Sequence, residues 1–290
     1  MDIRLGYLEE SETSGFSMPD ALSIDQYQQA TLAIKDVYSY NQSSKLLHLV
    51  TLNELELNMF LQSAFDDVIN KSSKWNGLSE NDIELIQLEL NRRLLNYLSS
   101  VRTYLDHSET FLKRLFGKES EQVKLFKTIC SGFYDTFFSY RFFYKLRNYA
   151  QHCGLPISNI RTSIESQPEL DATKITMHLK FDKQKLLDGF DWDQKTRNDL
   201  KQMGSEFDFM PLFIENAENI RTVATEKDKI VLSAVSNAAA YLRSLGQHLR
   251  NASNKVAIFF DIIKDEEGRF KSFSILYIPF HLIDVILGDK

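Results

Sequence analysis

Between Phe133 and Tyr149 aromatic side chains recur at helical spacing in two adjacent stripes. Phe133, Phe137, Tyr140 and Tyr144 make one stripe, and Tyr134, Phe138, Phe142 and Tyr149 make the other. A helix that is apolar on two sides must be covered on two sides, so it belongs in the middle of its bundle. The pattern runs on through Arg147-Asn148-Tyr-Ala-Gln-His152 to Gly154 and Pro156, a helix-stop signal. The polar end of the helix therefore emerges from the interior into a cleft or against a partner. Asn148 and His152 are one turn apart and share a face, while Arg147 is offset but long enough to reach the same space.

Composition bounds the rest. The chain has 290 residues, 43% hydrophobic and 26% charged, which is ordinary for a folded globular protein. Only 5 Pro and 11 Gly argue against long linkers. No run reaches the roughly 18 apolar residues of a membrane span, and the acidic N-terminus lacks the apolar core of a secretory signal. Two cysteines, Cys130 and Cys153, make neither a zinc site nor a disulfide framework, so a reducing cytoplasm is the simplest compartment. The net charge is −6, but it is unevenly spread. Residues 1–110 hold 8 Lys/Arg against 17 Asp/Glu, and residues 111–161 hold 9 against 3, so the basic segment contains the Arg147 stretch. That segment is either a local phosphate-binding surface or a solvated basic face balancing an acidic one.

The expected fold class is α+β, mainly α, in three contiguous parts. Residues 1–52 read as an irregular N-terminal arm followed by a hairpin around Tyr40-Asn-Gln-Ser-Ser44, with helix as the alternative. Residues 53–160 read as a helical bundle. A first helix from Asn53 to Ile69 is closed by Asn76-Gly77. Ser79 and Asp82 form a capping box that opens a long amphipathic run from Ile83 to Leu105 and on to Gly117. His107 within it reads as a kink or a new start. The aromatic helix begins near Glu121, with a bend at Gly132. Residues 161–290 read as a C-terminal α/β region. It holds a strand over 173–181, helices over 192–203 and 208–249, and a hairpin from Val256 to Ile278. The first strand is expected to join that hairpin in one three-stranded sheet.

Arg147-Asn148-x-x-x-His152 ending an aromatic helix resembles the signature of HEPN domains, small helical bundles that often act as metal-independent ribonucleases. Arg102 with His107 and Arg243 with His248 have the same spacing, but only Arg147 is followed by Asn. The resemblance implies an endoribonuclease whose catalytic residues are Arg147, Asn148 and His152, two copies of which meet in one composite cleft at a homodimer interface. It also implies a toxin or antiviral defence effector acting on cellular RNA, with an antitoxin or regulatory protein as a further partner. Chemically, Arg147 holds the phosphate as a planar fork, His152 transfers protons, and Asn148 positions one or the other. Tyr144 and Tyr149 are candidates to stack on bases, with Arg141 and Lys145 as further RNA contacts. No cofactor, metal or membrane is called for: the chain has no phosphate loop, no nucleophile elbow and no metal-ligand spacing. The acidic turn Asp265-Glu266-Glu267 reads as a solvated hairpin turn. The alternative is a non-catalytic helical interaction or regulatory module in which Arg147 and His152 are a structural pair at a helix end.

Overall fold

The computed structural model describes residues 2–9, 15–73, 79–167 and 172–288. In chain order the first half forms β1 (Arg4–Leu8), β2 (Phe16–Ala21), α1 (Ile24–Ser73), α2 (Glu80–Phe116), α3 (Glu121–Thr136) and α4 (Phe138–His152). Then come β3 (Ile157–Gln167), β4 (Ala172–Asp182), α5 (Lys183–Gly189), α6 (Gln194–Gln202), β5 (Glu206–Asp208) and α7 (Phe209–Gly246). A 3-10 turn (Gln247–Leu249) leads to β6 (Val256–Lys264), β7 (Phe270–Tyr277) and α8 (Phe280–Leu287). The fold is α+β and mainly α. Among the described residues no helix is long and apolar enough to cross a membrane.

The chain divides into two compact units, Met1–Ser44 with Asp228–Lys290, and Lys45–Lys227. The sequence reading had three contiguous parts, 1–52, 53–160 and 161–290. Both α1 and α7 cross the division, each giving one part to either unit.

The first unit is built on a four-stranded antiparallel sheet in the order β2-β1-β6-β7. The expected irregular arm is therefore two strands. Ile3 and Leu5 alternate into the core, and Gly6 lets β2 approach where a Cβ would meet the Ser17 carbonyl oxygen at 1.9 Å. The sheet packs on Ala30, Ile34 and Val37 from α1, Ala239 and Leu242 from α7, and Phe280 and Ile283 from α8. The hairpin expected around Tyr40–Ser44 is instead continuous helix. The turn-forming Ser44 is absorbed by bonding backwards, its Oγ donating to the Tyr40 carbonyl at 3.2 Å. The β6–β7 hairpin stands as read. Its acidic turn is closed by Asp265, which accepts from the Arg269 and Glu267 backbone N–H groups.

The second unit holds the helices around the Arg147 stretch. Ser79 Oγ accepts from the Asp82 N–H at 3.2 Å, and the Asp82 carboxylate accepts from the Ser79 N–H at 2.9 Å, so α2 begins with the expected capping box. It runs unbroken through His107 to Gly117, because Asp106 pairs with Arg102 at 2.8 Å rather than starting a new helix. The proposed closure at Asn76-Gly77 lies outside the described residues.

Strands β3, β4 and β5 form a second antiparallel sheet, separate from the first. The single three-stranded sheet expected from sequence does not form, because β4 takes its partner from the segment read as a boundary. Polar residues such as Asn159, Arg161, Thr162 and Ser163 hid that strand. Its start is fixed by α2: buried Asn91 accepts from the Ile157 N–H at 3.0 Å and donates to the Ile157 carbonyl at 2.8 Å. One amide thus does the work of a neighbouring strand at the point where the chain leaves α4. Asn91→Ala should cost about 1–3 kcal/mol in urea denaturation, because it takes the buried Ile157 N–H from its partner and leaves the Ile157 carbonyl only the Gln87 amide, at 3.1 Å.

Candidate functional site

The aromatic helix of the sequence reading is two helices. Gly132 does not bend it; α3 continues to Thr136, and the break falls at Phe137 in an extended conformation, φ −103° and ψ 120°. Breaking a helix orphans its last carbonyls. Arg141, in the first turn of α4, turns back to satisfy them, donating Nη1 to the carbonyls of Tyr134 at 3.2 Å and Asp135 at 3.5 Å. The same guanidinium binds Asp199 of α6 through Nε at 2.5 Å. A cation at a helix C-terminus is also favoured by the helix dipole.

This settles the place of Arg141. Its side chain is 7% exposed and its fork is divided among three acceptors, so it braces the elbow rather than meeting a nucleic acid. Tyr149 is likewise internal. Its ring stacks on Trp192 at 6.0 Å and 18° and meets Phe190 edge-on at 6.4 Å. On Gly189 a Cβ would come within 3.0 Å of the same ring. Burial also raises the Tyr149 phenol above its usual range. Both residues were expected to contact RNA; both are instead taken up by packing, as aromatics at helical spacing usually are.

The other candidates lie toward the surface. At about 100° per residue, Tyr144, Asn148 and His152 follow one another along one face of α4. Tyr144 and Asn148 are half-buried and His152 is exposed. Tyr144 carries the Arg102 guanidinium over its ring at 4.6 Å and meets Tyr134 edge-on at 6.0 Å. Lys145 is half-buried near Asp193. Burial acts to raise the Asp193 carboxyl, but hydrogen bonds from Thr196 and Tyr134 and the Lys145 charge together hold it below its ordinary range.

Arg147 leaves the helix about 140° around from His152 by the same geometry. Its Nε is buried without a hydrogen-bond partner, although the residue as a whole is half-exposed. Among the described residues no hydrogen bond or ion pair joins Arg147 to His152. α4 ends where expected: the Cys153 N–H donates to the Tyr149 carbonyl at 2.8 Å, and Gly154 follows with φ 151°. The two decoy histidines are elsewhere, His107 within α2 and His248 paired with Asp20 at 2.7 Å. His178 faces Ser163 Oγ at 3.3 Å across β3 and β4. Among the described residues no group of three or more His, Cys, Asp or Glu is placed to hold a metal.

The sequence reading missed Asp199 and Asn91, which set the direction of α4 and the path of the chain beyond it. Both act over sequence separations of 58 and 66 residues, so no local pattern marks them. No family model matches the chain, and neither a curated protein nor a solved structure does.

Arg141→Ala should lower unfolding free energy by about 1.5–3 kcal/mol, the worth of hydrogen bonds to a charged group, measured by chemical denaturation. Arg141→Lys should recover only part of it, because an ammonium cannot reach Asp199 and two carbonyls as one planar fork does.

Proposed function

We propose that the chain is an endoribonuclease of HEPN type that cleaves RNA without a metal, with Arg147, Asn148 and His152 as its working groups. The observation that carries this reading is the exposure of His152 in the last turn of α4, on the face it shares with Asn148 one turn before it, with Arg147 on the adjoining flank and its buried Nε without a hydrogen-bond partner. Against the alternative, a non-catalytic module in which Arg147 and His152 are a structural pair at the helix end, stand the exposure of His152 and the lack, among the described residues, of a hydrogen bond or ion pair between the two.

RNA cleavage of this kind proceeds by attack of the 2′-oxygen on the adjacent phosphorus, with departure of the 5′-oxygen. A proton must leave the 2′-hydroxyl and one must reach the 5′-oxygen, while charge builds on the non-bridging oxygens. His152 serves as the proton-transferring group, Arg147 binds the phosphate oxygens through two N–H groups, and Asn148 orients the imidazole or the phosphate. Within one chain Arg147 and His152 leave α4 on different flanks. That supports a homodimer in which the end of α4 from each copy contributes to a composite cleft. A toxin or defence effector, held in check by an antitoxin or regulatory protein in the cytoplasm, is the setting the resemblance implies.

The test is incubation of the purified protein with mixed RNA in EDTA. The wild-type protein should cleave, and His152→Ala should lose about 10²–10⁴-fold in turnover. Arg147→Lys should also fail, since a point charge does not replace a planar fork. Both variants should keep the wild-type melting temperature. Undiminished cleavage by a folded His152→Ala protein would remove the catalytic assignment.

A further inference from the structure

Beside Tyr144 the second unit has an open cleft of about 140 Å³ between α2, α3 and α4, a volume on the scale of one nucleobase. Its apolar lining is Leu105, Phe126 and the ring of Tyr140, all buried. Its inner polar groups stay neutral. Burial pushes the Cys130 thiol up to about 11, and burial likewise raises the Tyr140 phenol, which is hydrogen-bonded to that thiol. Charge in the lining comes from two carboxylates, Asp106 and Glu109, one helical turn apart on α2, and from Lys127 of α3, which pairs with Glu109.

Those carboxylates are only half used. Lys113 and Lys127 both address Oε1 of Glu109, at 2.6 and 3.3 Å, and Arg102 addresses Oδ2 of Asp106 at 2.8 Å. Oε2 of Glu109 and Oδ1 of Asp106 remain as acceptors. The Lys113 hydrogen bond holds the Glu109 carboxyl below its usual range, so it accepts and does not donate. Tyr144, already stacked under Arg102, supplies a flat wall at the same place.

We infer that this cleft holds one unstacked base of the RNA, seated against Tyr144 with its N–H edge on Asp106 and Glu109. A flat neutral ring fits the aromatic lining, and a pair of adjacent N–H donors fits the free carboxylate oxygens, which favours guanine, with its N1–H beside its N2 amino group. Uracil offers one ring N–H between two carbonyls that the carboxylates repel. The inference rests on the RNA-cleaving reading, because Tyr144 begins the face of α4 that continues to Asn148 and His152, about 12 Å further along the axis. A short single-stranded segment running along that face would put its phosphates near His152 while the base sits in the cleft. Residues 111–161, which include α3 and α4, carry 9 Lys/Arg against 3 Asp/Glu, a balance that favours the backbone of such a strand.

The test uses full-length His152→Ala protein in EDTA, so that RNA stays intact, and fluorescein-labelled pentauridylate with its central base unchanged or replaced by guanine. Anisotropy should show the guanine oligomer binding about tenfold tighter than pentauridylate. Tyr144→Ala, added to that protein, should weaken both by about tenfold, the usual effect of losing one base-stacking ring. Glu109→Gln should erase the guanine preference alone. Cys130→Phe, which fills the cleft, should reproduce the Tyr144→Ala loss, with circular dichroism confirming the fold of each variant. Unchanged affinity and preference in folded Tyr144→Ala and Cys130→Phe proteins would overturn the inference, as would guanosine monophosphate binding as tightly as the guanine oligomer. Failure of the catalytic reading gives a different result, base-dependent binding through the cleft by a wild-type protein that cleaves nothing.

Discussion

The direction of α4 depends on one guanidinium. At Phe137 the chain leaves helix for a single residue, and the carbonyls at the end of α3 lose their partners. Arg141 closes that gap from the other side of the elbow and at the same time ties it to Asp199 on α6. An unbraced break of this kind would place buried polar groups without partners and leave the angle between the helices undetermined. With it braced, Phe142 of one stripe meets Trp192 and Phe181, and Phe143 beside it meets Phe209 and Phe213, so α4 is covered on both of these sides. The remaining face, Tyr144 to His152, is what the braced helix turns outward.

What could be read from the sequence follows from how local its cause is. The capping box at Ser79 and Asp82 lies within one turn, and α2 starts where that signal says. The β6–β7 hairpin announces itself by two apolar runs around a polar turn. The elbow at Phe137 is not local, since it depends on Asp199, 58 residues beyond Arg141. Gly132 was the more conspicuous breaker, yet α3 passes through it, because one glycine weakens a helix without ending it. β3 was hidden for the same reason as the elbow: a polar strand exists where Asn91 and β4 hold it. The turn-formers at Tyr40–Ser44 misled because their side chains can bond backwards inside a helix as readily as they start a turn.

The candidate site shows the same division. Helical periodicity alone puts Asn148 and His152 on a shared face, and the chain does so. Periodicity also puts Arg141 and Tyr149 within reach of that region, and only the placement of Asp199 on α6 and of Phe190 and Trp192 just before it reveals that both are consumed by packing. What remains on the surface is a line of groups along α4, beginning at an aromatic cleft and ending at an exposed imidazole, with Arg147 to one side. On a single copy Arg147 and His152 leave α4 about 140° apart, and it is for this reason that the proposed site pairs the Arg147 of one copy with the His152 of another across a two-fold axis.

The most direct measurement is complementation between inactive copies. Arg147→Ala and His152→Ala proteins, each folded and inactive alone, are mixed under conditions where subunit exchange is confirmed, and cleavage of RNA in EDTA is followed. The account predicts recovered activity, because each mixed dimer rebuilds one site from the intact Arg147 of one copy and the intact His152 of the other. Complete exchange with no recovered cleavage would contradict it.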